Sequence, residues 1–408
     1  MLFRSISSAR IALVPCVCVG AIATYSGSRA LAQRAPDAGA DAGAVAPSAS
    51  GPRAPVPGSP SVTRPALVVL RSGPRRPQQI APVPPAGQPP APMRFAFDTV
   101  TREYATTPTS AVLSRDGAFL AFLRGGRPMV RHLETNAETP LVTGRMGDGT
   151  VGFIGWSPRD NSVAYTLAVQ QRLDGPDRPR MPAPEGTYVA SIVATNAAPA
   201  GRPPRASLRA ETRRMTLPAD VVPVYWASDE ADTFYYVQHV AQYHEELRRV
   251  THANPNPRTL FTLRGGYWGM SQFHLRGNAL VFAHRAVSAP QNTEAVTAVR
   301  LDDRALALRP LSTERLLNAG AELSPDGTQV LWHAPDNAPR SVWHAPFDGR
   351  ARARAVFRCA GQCWARWESS TTMFVVDNGA LHRVFIDGQP PVTVVARDVE
   401  VVLVAGGA

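Results

Sequence analysis

LSPDGTQVLWHA, running from Leu323 to Ala334, sets a turn of Ser324, Pro325, Asp326 and Gly327 ahead of a run of β-branched and aromatic residues. Proline at the second turn position and glycine at the fourth suit a type I turn, and the run that follows reads as a buried strand. The pattern recurs. LSRDGAFLAFL (113–123) has it almost unchanged and WSPRDNSVAYTLAV (156–169) keeps the Ser-Pro and the strand. WASDEADTFYYVQH (226–239), FHLRGNALVFAH (273–284) and WESSTTMFVVDNG (367–379) keep the layout with other turn residues. With Ser114, Ser157, Ala227, His274, Ser324 and Glu368 taken as equivalent, the spacings are 43, 70, 47, 50 and 44 residues. A period of about 40–50 residues with several strands per unit is the signature of propeller blades. The expected fold is all-β: a six-bladed β-propeller, or a seven-bladed one if a weaker blade lies inside the long second unit.

Outward from these turns, strands alternate with hairpins from Phe95 onward. In the first unit Leu120 to Leu123 passes through Arg124-Gly125-Gly126-Arg127 into Met129 to Leu133 and then Thr139 to Val142. In the sixth, Met373 to Val376 passes through Asp377-Asn378-Gly379 into Leu381 to Ile386. An Asn-Gly pair between two apolar runs is the strongest short-range hairpin signal. The second unit is lengthened by 170–186 and 196–207, surface loops by composition. A closed ring removes exposed sheet edges, commonly by pairing strands from both chain ends in one blade. Phe95-Ala96-Phe97 with Val100, and Glu400 to Val404, suit that pairing. The tandem WHAP at 332–335 and 343–346 predicts aromatic packing between blades.

Ahead of the repeats, MLFRSISSAR carries two arginines and no acid, and Ile11 to Ala23 is apolar, with Ala30-Leu31-Ala32 before Gln33. Residues 1–32 therefore read as a secretory signal peptide whose removal leaves no membrane span. Pro15 and Val17 precede Cys16 and Cys18 where a lipidation signal wants a small residue, and an uncleaved anchor is the alternative. Fifteen of the sixty residues from 33 to 92 are proline, so this segment reads as a disordered Pro/Ala-rich linker before a propeller at 93–408. Its one apolar island, Ala66 to Leu70, reads as a transiently ordered patch, with addition to a sheet edge as the alternative. Cys359 and Cys363 follow the signal, and export makes them a candidate structural disulfide; as zinc ligands they lack two partners at suitable spacing. The expected compartment is periplasmic or secreted.

All 43 basic residues are arginine, which reflects a GC-rich genome rather than arginine chemistry. The net charge of +11 divides into +3 for residues 1–32, +4 for 33–92 and +4 for 93–408. A nucleic-acid binder concentrates charge on its folded domain beside a recognisable motif, and this chain does not. Three apparent motifs also fail. Gly269-Met270-Ser271-Gln272-Phe273 lacks the last glycine of a hydrolase elbow, His244-Glu245-Glu246-Leu247-Arg248 lacks the second zincin histidine, and Gly147 to Gly152 precedes a strand instead of a dinucleotide-binding helix.

The Ser-Pro-Asp-Gly turn with its apolar strand, complete at 324–333 and degraded at 114–123 and 157–166, resembles the TolB-type (PD40, WD40-like) propeller repeat. The Gly-His and Trp-Asp dipeptides of true WD40 repeats are missing. The resemblance implies a periplasmic protein that binds partner proteins. TolB-like proteins carry an α/β domain where this chain has its linker, so it implies architecture rather than the Tol-system role.

If these turns join the first two strands of each blade, the second strands all end on the opposite rim. Those ends are Arg124, Gln170, His239, His284, His333 and Asp377, the candidate binding residues. Three histidines on successive blades offer a divalent-metal site, since neutral imidazole is the commonest ligand. The plainer reading is that strand ends are polar because they meet water. No catalytic residue or resident cofactor is expected. The rim mixes both charge signs, which suits a protein or peptide rather than nucleic acid. The reading reached is a monomeric, exported cell-envelope propeller that binds an envelope protein or peptide. A hydrolase or lyase with its site at the channel mouth and a ligand-free structural spacer are the other readings.

Overall fold

The computed structural model describes residues 63–100, 110–142, 149–157, 159–169, 186–195, 207–217, 225–226, 233–241, 244–251, 253–264, 267–268, 273–286, 295–312, 320–333, 340–361 and 363–406. Two strands lead, β1 (Ala66–Leu70) and β2 (Gln79–Pro82). Blade one is β3 (Ala111–Leu113), β4 (Phe119–Arg124), β5 (Arg127–His132) and β6 (Glu138–Pro140). Blade two is β7 (Gly149–Trp156), β8 (Ser162–Val169), β9 (Gly186–Thr195) and β10 (Ser207–Arg214). Blade three is β11 (Tyr225–Trp226), β12 (Thr233–Ala241), β13 (His244–Thr251) and β14 (Arg258–Leu263). Blade four divides its first strand into β15 (Tyr267–Trp268) and β16 (Phe273–Arg276), both paired with β17 (Ala279–Ala286), and continues through β18 (Ala295–Arg300) and β19 (Arg309–Pro310). Blade five is β20 (Gly320–Leu323), β21 (Gln329–His333), β22 (Ser341–Pro346) and β23 (Arg354–Arg358). Blade six is β24 (Cys363–Trp367), β25 (Thr372–Asp377), β26 (Ala380–Phe385) and β27 (Val392–Val395), and β28 (Val399–Val404) ends the chain's strands.

The six sequence repeats are thus six sheets, and a seventh closes the ring in the order β2-β1-β28. Val68 pairs with Val402 and Ala81 pairs with Val68, all antiparallel. The fold is a seven-bladed propeller, and three expectations are corrected. The extra blade is built from the chain ends and not hidden in the second unit, which is one four-stranded sheet lengthened by its connections. The segment that pairs with β28 is Ala66–Leu70, not Phe95 to Val100. Residues 66–82, read as part of a disordered linker, are two strands in which Val68, Val69, Ile80 and Ala81 are fully buried. Phe95 and Phe97 pack on the same interface as partly buried side chains without forming a strand. One compact unit runs from Gly58 to Ala408.

Apolar clusters are wedged between neighbouring sheets around the ring, from the contact of blade seven with blade one to that of blade six with blade seven. A sheet covered on both faces needs apolar residues at consecutive positions, which is why β4 (FLAFLR) reads as a continuous run. Burial falls outward: β3 is wholly buried, whereas β10, the last strand of its blade, alternates exposed and half-buried residues. First strands pack on one another around the axis, β28 on β3, β3 on β7, β7 on β11, β16 on β20, β20 on β24 and β24 on β28.

Side-chain chemistry makes the repeated turn. Ser324 Oγ accepts the Gln329 N–H at 2.9 Å and donates to Asp326 Oδ1 at 2.5 Å, and that oxygen accepts the Thr328 N–H at 3.1 Å. Ser114, Asp116, Phe119 and Ala118 repeat this at 2.8, 2.6 and 2.9 Å. Burial works against the Asp326 carboxylate, but the hydrogen bonds from Ser324 and Thr328 outweigh it and hold its pKa below the usual range. Glycine ends the turn with φ of +74° at Gly117, where an added Cβ would also lie 2.5 Å from Pro65 Cβ as the closing strand passes. Ser324→Ala strips the turn of its central acceptor, a side chain that is itself fully buried. It should cost about 1–3 kcal/mol, read as a lower midpoint in denaturant or heat.

Alternation along β21 and β22 explains the WHAP pair, because successive strand residues face opposite sides of a sheet. Trp332 and Trp343 are cross-strand partners in one blade, stacked with centroids 6.5 Å apart and planes 8° from parallel. The expectation of tryptophan packing between blades is therefore corrected for this pair. The histidines make the inter-blade contacts: His333 meets Trp364 edge-on at 4.8 Å and His344 meets Trp367 at 6.2 Å.

Candidate functional site

Blades one to six each run outward from the axis in the same sense, so their tight first-to-second-strand turns share one rim and the second-strand ends share the other. Arg124, His333 and Asp377 close β4, β21 and β25, with His239 in β12 and His284 in β17 near the same ends. Gln170 lies outside the described residues. His239 pairs in register with Glu245, and its side chain is outside the description. Sharing a rim does not bring the others together, because each is engaged where it stands.

Arg124 is fixed in a network of one blade. Its Nη1 and Nη2 donate to the Glu138 carboxylate at 2.8 and 3.0 Å, and its Nε donates to Ala96 O at 2.7 Å. Arg131 donates to the same carboxylate at 2.6 Å. Burial opposes the Glu138 charge, but the hydrogen bonds from both arginines outweigh it and hold its pKa below the ordinary value. Asp98 accepts the Gly125 and Gly126 N–H groups at 2.7 Å each, so the 94–98 segment braces this hairpin.

Asp377 organises the neighbouring loop. Its two oxygens accept the Ala360 and Gly361 N–H groups at 2.8 and 3.0 Å, inside the loop that the Cys359–Cys363 disulfide closes. Asn378 and Gly379 follow with φ of +47° and +85°, the left-handed pair that a two-residue hairpin requires.

His284 and His333 face the interior rather than a shared opening. His284 is 7% exposed beside Phe282, and His333 is 4% exposed against Trp364. Burial pushes the His284 pKa down to about 4, and burial with a smaller contribution from Arg366 pushes that of His333 down to about 3. Neither ring nitrogen of His333 has a hydrogen-bond partner among the described residues. Among those residues no group of three His, Cys, Asp or Glu is placed to hold a metal ion.

Two features escaped the sequence reading. Trp156 Nε1 donates to Val112 O and Trp367 Nε1 to Glu322 O, each at 3.0 Å, tying each blade to the one before it. The tryptophan directly ahead of the turn, quoted in three repeats, was the available signal. The second is a cleft of about 530 Å³ between blades four and five, lined by Leu311, Trp332, Trp343, Arg350 and Arg352 among others. It lies outside the rim that pattern alone picks out, because its walls come from separate repeats.

These features define a closed seven-bladed β-propeller. No family model matches the sequence, and no curated protein matches it. Solved structures similar to it include Porphyromonas gingivalis dipeptidyl peptidase 4, at 12% identity over 80% of this chain and 50% of that one, with a TM-score of 0.44. Oligogalacturonate lyase from Vibrio parahaemolyticus matches at 10% identity over 83% and 86% of the two chains, with a TM-score of 0.44. TolB from Acinetobacter baumannii matches at 12% identity over 61% and 69%, with a TM-score of 0.33. The chain spans half the length of the dipeptidyl peptidase it matches. The likeness is one of fold. No helix among the described residues is long and apolar enough to cross a membrane.

Proposed function

We propose that this propeller is a binding module for a protein or peptide of the cell envelope, engaged on the rim where the second strands end. The asymmetry of the two rims carries this reading. On the turn side the first and second strands, nearest the channel, are joined by four- or five-residue turns such as 114–118 and 324–328, locked by their own side chains, and the longer third-to-fourth-strand connections such as 301–308 lie farther out. On the other side the second-to-third-strand connections include 170–185, 287–294 and 334–340, and the blade-to-blade connections include 215–224 and 311–319. Long connections on a rigid scaffold offer larger and more variable surfaces than tight turns. Arg124 and Asp377 shape that rim, one through the Asp98 and Glu138 network and the other through the disulfide loop. The signal-like residues 1–32 support export to the envelope.

The test is capture from envelope extracts with the full chain as bait, followed by the same capture with Arg124→Ala combined with Asp377→Ala. A specific partner should be retained by the parent chain and reduced severalfold by the double variant, measured at a temperature well below the lowered melting midpoint that loss of the two networks brings. Retention of the same partner at full strength by the double variant would remove this rim from the reading.

A further inference from the structure

The cleft between blades four and five holds about 530 Å³, within the range of sites that take ligands. Its blade-four wall is Pro310, Leu311 and Ser312. That wall is fixed to its own sheet: the Leu311 N–H donates to Val296 O and Ser312 Oγ accepts the Val296 N–H, each at 2.9 Å. On the blade-five side the half-buried Trp343 lines the cleft and is backed by buried Trp332, stacked at 6.5 Å. An indole held from behind offers a large apolar surface at little cost in side-chain entropy.

A wide hairpin completes the cleft. The ladder between β22 and β23 ends at the His344–Arg354 pair, and beyond it the Gly349 N–H donates to Pro346 O at 3.1 Å to turn the chain. Residues 351–353 then line the cleft outside the ladder, with no backbone hydrogen bond among the described residues. Arg350 and Arg352 stand on this stretch, both exposed to solvent. Asp348 Oδ2 lies 3.0 Å from Arg350 Nε and braces a side chain that stays 87% exposed. Arg352 has no hydrogen-bond or ion-pair partner among the described residues. No acidic residue lines the cleft, so its charge is complementary to an anion.

We infer that this cleft binds an extended acidic peptide segment, with an apolar or proline residue resting on Trp343 and an aspartate or glutamate carboxylate paired with Arg352 and Arg350. The unpaired main chain of 351–353 favours a peptide, because an extended chain brings N–H and C=O groups in alternation to such a wall. Tryptophan and arginine are also the side chains that most often carry the energy of protein contacts. Planar guanidinium donors match both oxygens of a carboxylate. None of these residues belongs to the rim proposed for partner binding, so either reading can fail alone.

The experiment selects nine-residue peptides from a random displayed library on the full chain, then measures the selected peptides by fluorescence anisotropy. They should share an acidic residue beside an apolar one or proline, and the tightest should bind saturably with one site per chain. Arg352→Gln should weaken it about fivefold, the upper end for an ion pair that keeps contact with water. Trp343→Ala should weaken it about tenfold or more. Arg352→Glu should reverse the charge preference, so that the same peptide binds better once its acidic residue is replaced by lysine. Loss of structure does not produce that reversal, and it decides the matter if Trp343→Ala fails to fold. Arg209→Gln, on exposed outer strand β10, should leave binding within twofold. The inference is overturned if the selected peptides share no acidic residue, if they bind the Arg352→Glu variant unchanged, or if succinate or a sulfated oligosaccharide binds the cleft as tightly as the peptide does.

Discussion

A chain that begins at Met93 should fail to close its ring, whereas one that begins at Gly58 should fold. Removing β1 and β2 deletes Leu67, Val68, Val69 and Ile80, each at most 4% exposed. At about 2 kcal/mol for each fully buried aliphatic side chain, the loss is roughly 8 kcal/mol, comparable with the entire stability of an ordinary domain. It also bares the edge of β28, whose VEVVLV sequence has four buried positions and would become a template for aggregation. Purified 93–408 should elute as aggregate or be digested rapidly by protease. Purified 58–408 should be monodisperse and resistant, with a cooperative melt. A monodisperse 93–408 that melts within a few degrees of 58–408 would show that the closing strands are dispensable.

The second large effect is acid lability. His284, His333 and His344 are buried, and burial is the largest cause that pushes their pKa values down to about 4, 3 and 4. In the unfolded chain an imidazole titrates near its ordinary value of about 6.5. Between those limits the unfolded state binds more protons, so stability is fully present above about pH 6.5 and is lost as the pH falls toward the folded values. From pH 7 to 4.5 the loss should be roughly 2 kcal/mol for each of the three imidazoles. Asp326 and Glu138, whose pKa values are also depressed, begin to lose their contributions as the pH falls below about 5, so the histidines account for the change above that point. Denaturant titrations at half-unit steps should show an uptake on unfolding near pH 5 of about three protons from these imidazoles, to which His382, whose pKa burial also lowers, adds a part. His333→Leu should reduce that by one, lowering the slope by about 1.4 kcal/mol per pH unit. An unchanged slope would mean that His333 is not held neutral in the folded chain.

Much of this molecule is legible one repeat at a time. Ser324, Asp326 and Gly327 form their turn through bonds that span five residues or fewer, so the motif appears wherever those side chains occur in that order. The runs after the turns are apolar because both faces of each blade are covered, and the Asn378-Gly379 pair encodes its own hairpin. Such interactions are local, and reading them along the chain yields six blades, their order and the rim on which each second strand ends.

What the tertiary structure alone decided lies between residues far apart. Ala66 to Leu70 looks like an island in a proline-rich segment, since nothing near it in sequence covers its valines. Val402, 334 positions away, supplies the missing strand and turns six blades into seven. His333 reads as a polar strand end, yet Trp364 of the next blade packs against its ring, so the imidazole is interior and neutral. Arg64 reads as one arginine of a linker, yet its backbone N–H pairs with Glu368 O of blade six because the closing strand delivers it to the turn rim. In each case the deciding partner belongs to another repeat. Period and turn chemistry determine the blade, while ring closure sets which faces are buried and which charges meet.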